Sequence, residues 1–348
     1  MGNLLTYSGI VTKVRAMQAK LLTKEDFENI AALGSVPDIV SYLREHPAYS
    51  NILSDLDEKM IHRGNIEKLL MQSFYGDYSR LYRFAGIHQK QFLKLYLMRH
   101  EVDLINYCLR IVFNHYDLPF DLDYKKPFFD AFTQLSIERL ITSKNIDELV
   151  DNLSGSEYYA PLKLLRDSHA ATLFDYDLAL DLYAFQTLWK KRKKVLKNKE
   201  LEIFTKDYGS KIDLLNLQWI YRAKKYYNMV PADIYSLLIP INYKIKTDLI
   251  KELVEAPSLD EFITITKKTI YEQKYKFKQG YTLERMYIKY MHHLHMNDRR
   301  NNPNSIAVVN TYLFLKEFEI DQLTTVLECV RYKLTPTETM QYLGGVQK

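Results

Sequence analysis

The chain has 348 residues and carries 48 Lys and Arg against 43 Asp and Glu, a formal charge of +5. That length exceeds what one core usually serves and implies two or three domains, while so mild a positive balance permits an acidic partner or lipid headgroups without demanding nucleic acid. With 11 Gly and 10 Pro, about half the average share, and no sustained period-two alternation, the composition excludes sheet and points to an all-α fold; no run of about 18 apolar residues is present to span a bilayer, and no secretory signal is expected.

The first helix is predicted over residues 4–22, with Leu4, Tyr7, Val11, Val14 and Met17 on one stripe. The opening Met1-Gly2-Asn3-Leu4-Leu5-Thr6 fits the loose myristoylation pattern, and is read here as an ordinary helix start. Thr23 and Asp26 form a capping box for a short helix ending near Gly34; Ser35 caps the next, which His46-Pro47 breaks. Asn65 is the expected N-cap of a long helix to about Phe84, and helix resumes near Gln89 and runs past Asp103. Asp117-Leu118-Pro119-Phe120 ends this first unit.

The order then repeats. A second unit opens near Lys126-Pro127, has a short helix capped by Asn145 and closed by Ser154-Gly155-Ser156, and continues in long helices over 173–196 and 201–227. Pro231 begins the third unit; residues 297–304 are its most loop-like stretch, before a closing helix over 305–332.

A polar pair marks each unit. Asp103 and Asn106, three apart, share one helical face. Asp213 and Asn216 lie 110 positions on, and Glu319 and Gln322 a further 106. The first shift also carries Phe27, Ile30, Val36, Ile39, Val40, Leu43, Tyr49 and Ile52 onto apolar or aromatic residues, from Ile137 to Leu162. The chain therefore reads as three related helical units, 1–120, 121–229 and 230–348, each burying part of its surface against a neighbour. They form either a linear array or a set closed about a threefold axis around a hollow.

Catalytic chemistry is sparse. No phosphate-binding glycine loop is present. His292, His293 and His295, with Asp298 nearby, lack the carboxylate spacing of a zinc site and read as a wet helix end; a metal-dependent hydrolase is the contrary reading. No catalytic, cofactor or metal residue is assigned. Trp189-Lys190-Lys191-Arg192-Lys193-Lys194 ends a long helix, where cations suit the dipole; a nucleic-acid-binding protein using residues 189–199 is the alternative function. Cys108 and Cys329 lie in apolar runs and read as reduced core residues of a cytosolic protein. The carboxylate–amide pairs, with Arg15 and Arg110, read as structural anchors where units meet, and Arg110 lies on the Asp103 face.

The chain resembles the C subunit of archaeal and bacterial A/V-type rotary ATPases, related to the d subunit of vacuolar ATPases. The resemblance rests on Tyr7, Val14-Arg15-Ala16-Met17 and Leu21-Leu22, on the Asp-x-x-Asn helices at 103–106 and 213–216, and on Tyr312-Leu313-Phe314-Leu315-Lys316-Glu317-Phe318-Glu319-Ile320. Gln322 departs from it, since the family tends to carry Asn there. It implies a funnel of three similar multi-helical domains around a pseudo-threefold axis with a central cavity. It also implies a non-catalytic central-stalk connector, without cofactor, peripheral on the cytoplasmic face of the membrane. Its partners would be D- and F-type stalk subunits in the funnel mouth and a c/K-type proteolipid ring at the base, with no nucleic acid. The work served would be ATP-coupled proton or sodium transport.

Overall fold

In a computed structural model that describes residues 2–114, 121–168, 172–274 and 282–344, every described regular element is helical. Residues 2–114 contain α1 (Gly2–Gln18), α2 (Lys24–Ala31), α3 (Val36–Glu45), α4 (Ser50–Leu53), α5 (Arg63–Phe84) and α6 (Ile87–Phe113), with one 3₁₀ turn at Glu58–Met60. α7 (Lys126–Phe132), α8 (Ile137–Ile141), α9 (Ile146–Asn152), α10 (Tyr159–Asp167), α11 (Leu173–Val195) and α12 (Asn198–Tyr227) follow. The chain continues through α13 (Pro231–Leu237), α14 (Thr247–Glu255), α15 (Leu259–Thr266), α16 (Ile270–Lys274), α17 (Leu283–Asn301), α18 (Ile306–Arg331) and α19 (Pro336–Tyr342).

Local chemistry sets most boundaries. Thr23 and Asp26 close a reciprocal capping box on α2, Ser35 accepts the Asp38 N–H, and Asn145 accepts the Glu148 N–H at 2.9 Å. Each bond satisfies an N-terminal donor that the helix leaves unpaired. Asn228, at φ 47°, ends α12 in the left-handed conformation that Asn tolerates. Gly155 turns the chain after α9 at φ 90°, which a side chain would oppose.

Three expectations need correction. α1 stops at Gln18 rather than near Leu22. α5 begins at Arg63 with His62 as its cap residue, so Asn65 lies inside the first turn. α17 runs on to Asn301, and only residues 302–305 separate it from α18. The polar composition of 297–304 marks a helix face beside a cavity, and Asp298 within it is buried. The whole helix α19 has no counterpart in the sequence reading. The first-unit terminus at Asp117–Phe120 and the first residue of the myristoylation pattern, Met1, lie outside the described residues, as does the Leu4 side chain.

The chain divides into two compact units, Met1–Gln89 with His292–Lys348, and Lys90–Met291. In the first, α1, α5 and α18 pack on one another, α18 also lies against α2, α3 and α19, and α19 lies against α2. Its core includes Tyr7, Val14, Phe74, Tyr78, Tyr312 and Leu323. In the second, α12 packs on α11, α13 and α15, α10 on α9 and α11, α13 on α14, and α7 on α8. Phe92, Phe129, Leu188, Ile212 and Phe262 belong to its core.

One pairing scheme recurs inside both units. The short helix after each of α6, α12 and α18 packs on another short helix: α7 on α8, α13 on α14 and α19 on α2. Likewise α12 meets α15 and α18 meets α3.

Candidate functional site

Gly209, Asp213 and Asn216 succeed one another at steps of four and three, so one face of α12 presents them in a row. The segment between α13 and α14 is fastened along that row. The Ile239 N–H donates to Asn216 Oδ1 at 2.9 Å, and Asn216 Nδ2 donates to the Ile239 carbonyl at 3.0 Å. Asp213 accepts the N–H groups of Tyr243, Lys244 and Ile245 at 3.1, 2.7 and 3.0 Å, and the Tyr271 hydroxyl at 2.7 Å. Gly209 lets the Tyr243 ring lie on the helix, since a Cβ there would stand 2.5 Å from Tyr243 Cγ. Asp213 is 1% exposed. Four donors offset the desolvation of its carboxylate. Burial pushes its pKa above the usual carboxylate range, and the Tyr271 and backbone donors hold it back.

α18 repeats the arrangement with a longer acid. Glu319 accepts the Leu22 N–H and the Tyr49 hydroxyl, both at 2.5 Å. Lys316, one turn earlier, donates to Glu319 at 3.0 Å and to the Tyr49 oxygen at 2.8 Å. Lys316 and Glu319 are 2% and 3% exposed, so the ion pair is fully desolvated. Tyr49 lies under the Lys316 ammonium, 4.1 Å from the ring centroid, and burial with the Glu319 charge raises its hydroxyl pKa. A second buried bond joins Tyr312 to Asp77 at 2.5 Å.

On α6 the tyrosine partner is Glu101. Tyr158 donates to it at 2.7 Å, and burial raises the Glu101 pKa. Asp103, two residues on, is exposed. Its charge acts on Lys125 and on Asp181. Asn106 is buried with Oδ1 lacking a hydrogen-bond partner among the described residues, and Gln322 is buried with Nε2 in the same state. The structure therefore gives Asp213 and Glu319 one kind of surroundings, and Asp103 another. The sequence reading names Tyr49 only in the apolar register and Lys316 only within a longer motif, and gives no role to these, to Tyr158, to Tyr271 or to Gly209. A tyrosine at the start of α4, α10 and α16 (Tyr49, Tyr158, Tyr271) is the signal that marks them.

The sequence profile of the ATP synthase (C/AC39) subunit matches residues 10–342. The chain belongs to this family. The C subunit of the A-type ATP synthase of Methanosarcina mazei is 27% identical over 267 residues, 76% of this chain and 71% of that protein. Its counterpart in Methanocaldococcus jannaschii is 22% identical over 353 aligned positions, covering 98% and 87%. That of Thermococcus kodakarensis is 23% identical over 351, covering 98% and 91%.

Among the remaining features of this C/AC39 chain, Cys108 and the exposed lysines of the basic run stand as the sequence suggests, whereas His295 does not. Arg110 stands 3.9 Å from Asp177 on α11, in a group that also holds Arg99, Asp103 and Asp181. Burial, then the Asp103 and Asp177 charges, push the Asp181 pKa up to about 6. Arg222 pairs with Glu284 at 2.8 Å. In the basic run, the Arg192 guanidinium is buried against the Trp189 ring at 3.3 Å and donates to Thr205, while Lys191 pairs with Glu157 at 2.7 Å. Lys190, Lys193 and Lys194 are exposed. His295 is buried, with its ring stacked 4.2 Å from Phe314. Cys108 is a buried free thiol whose pKa desolvation raises to about 12. No described helix is long and apolar enough to cross a membrane. Arg15, from the N-terminal motif, is exposed at the end of α1 beside Arg299.

Proposed function

We propose that this chain is the non-catalytic central-stalk connector of a V/A-type rotary ATPase. It joins D- and F-type stalk subunits to a c/K-type proteolipid ring on the cytoplasmic face of the membrane, and transmits torque for ATP-coupled proton or sodium transport. Family membership supports the complex, and relatives that are C subunits of A-type ATP synthases support the place within it.

The observation that carries the mechanical reading is the cyclic pairing of helices. α19 on α2 repeats α7 on α8 and α13 on α14. This favours three domains, from repeats 1–120, 121–229 and 230–348, closed about a pseudo-threefold axis as a funnel with a central cavity. A torque-bearing piece has to resist shear between its repeats. Asp213 with Asn216, and Glu319 with Gln322, belong to helices that clasp the next repeat through carboxylate–tyrosine and carboxylate–backbone bonds. On α6 the corresponding bond is the one from Tyr158 to Glu101, while Asp103 is exposed.

The work is done by stiffness and fit, with no bond made or broken. The nucleic-acid alternative is weakened because Arg192 and Lys191 are committed to internal partners. Purification of the tagged full-length chain from native membranes tests the assignment. Recovery with stalk and ring subunits is expected; recovery alone, or with nucleic acid lost on neutralising Lys190, Lys193 and Lys194, would overturn it.

A further inference from the structure

In the unit built from residues 1–89 and 292–348, the ends of α1 and α17 flank an open cavity of about 640 Å³. Arg15 and Gln18 share one face of α1, with Ala19 just past its end, and Met296, Arg299 and Arg300 share one face of α17, by steps of three and four. Each arginine sits in or near the last turn of its helix, where the dipole favours a cation. That accounts for each one singly, and does not account for three guanidiniums lining one cavity. No hydrogen bond or ion pair ties the side chain of Arg15, Arg299 or Arg300 to a carboxylate among the described residues. Arg299 is half-buried, and desolvation and then the Arg15 charge lower its pKa. Uncompensated like charges facing a shared space cost free energy, which an anion placed between them would return.

We infer that this cavity binds a small phosphate-bearing anion, held by Arg15, Arg299 and Arg300 with the amides of Gln18 and Asn297 as further donors. A guanidinium presents a planar fork of donors that matches phosphoryl oxygens two at a time, and the volume suits a ligand of pyrophosphate to nucleotide size. The apolar part of the lining, Met296, Pro303 and Val308, accepts whatever ester group the phosphate carries. The phosphate comes either from a free solute or from a lipid headgroup, and the chemistry of recognition is the same.

The test uses the purified full-length chain, with thermal unfolding and titration calorimetry at fixed ionic strength. Sodium pyrophosphate and ATP, both without divalent metal, are compared with citrate and with vesicles of phosphatidylglycerol in phosphatidylcholine. Saturable binding of pyrophosphate with a rise in Tm is expected. Arg299→Gln should weaken it at least tenfold while raising the Tm of the unliganded protein, because a repelled charge has gone; a merely structural arginine would lower that Tm. Arg300→Gln, at an exposed position, keeps the test open should Arg299→Gln fold poorly, and should weaken binding several-fold. Pyrophosphate binding without vesicle capture assigns a free anion, and vesicle capture displaced by pyrophosphate assigns a headgroup. Equal response to citrate, or no saturable response to pyrophosphate and vesicles alike, overturns the inference.

Discussion

The Tyr49 hydroxyl donates to Glu319 at 2.5 Å across 270 residues of sequence, and Lys316 closes the triangle at 2.8 and 3.0 Å. All three residues are at most 3% exposed. A buried ion pair of this kind contributes little over an apolar replacement, yet is costly to break from one side. Glu319→Ala is therefore expected to lose about 3–5 kcal/mol. Tyr49→Phe, which leaves the ion pair in place, should lose about 1–2 kcal/mol. Adding Lys316→Met to Glu319→Ala should recover much of the loss, as the stranded ammonium goes with it. Urea unfolding of the four proteins measures this; equal losses for Glu319→Ala and the double variant would refute the account.

Asp213 and Asp103 share a sequence pattern and differ in surroundings. Asp213→Ala strands three backbone N–H groups and the Tyr271 hydroxyl. The expected loss is about 3–5 kcal/mol, with faster hydrogen exchange at residues 243–245. Asp103 is exposed, so Asp103→Ala should change stability by no more than about 0.5 kcal/mol. Glu101→Gln, which keeps a partner for Tyr158, should fall between the two. A large effect at Asp103 with a small one at Asp213 would reverse the assignment of anchors.

Two mid-helix glycines separate propensity from packing. At Gly76 in α5 a Cβ meets nothing within 4 Å, and Gly76→Ala should stabilise by up to about 1 kcal/mol. At Gly209 the same change drives Cβ into the Tyr243 ring. Overpacking outweighs the propensity gain there, for a net loss of about 1–2 kcal/mol. Melting temperatures of the two variants should move in opposite directions.

Asp181 makes stability depend on pH in a defined window. Its folded pKa of about 6 lies above the unfolded carboxyl value of about 3.9. Between those values the folded chain holds the proton more tightly, so this contribution is present below about pH 4 and is lost as pH rises to about 6. Discounted for partial exposure, the amount is about 1–2 kcal/mol. The groups acting on it are Asp103 and Asp177, which raise its pKa, and Arg99 and Arg110, which lower it. Asp181→Asn should flatten this part of the stability profile and stabilise the protein at pH 7. A wild-type profile that rises across the same window, with no change in Asp181→Asn, would contradict the placement of these charges.

Helices and their ends were legible without coordinates, because both depend on neighbours within four residues. The capping box at Thr23, the caps at Ser35 and Asn145, and the span of α18 follow from hydrogen-bonding side chains next to apolar runs of helical period. The all-α class follows in the same way. The stretch at 297–304 misled because polar residues mark water or a cavity beside a helix as readily as a loop. α19 is short and polar, too weakly periodic to stand out.

The chain by itself determined that it would be helical, since the period of its apolar residues and the residue types at helix ends are properties of a line. Only the tertiary structure decided which carboxylate on each long helix meets a tyrosine. Glu101 and Asp103 are two residues apart, which on a helix is a turn of about 200° and places them on opposite faces. The same holds for Arg15 and Arg299, remote in sequence and facing one cavity. Such partners are chosen by which helices pack together, and packing depends on the whole buried surface, which no local window contains.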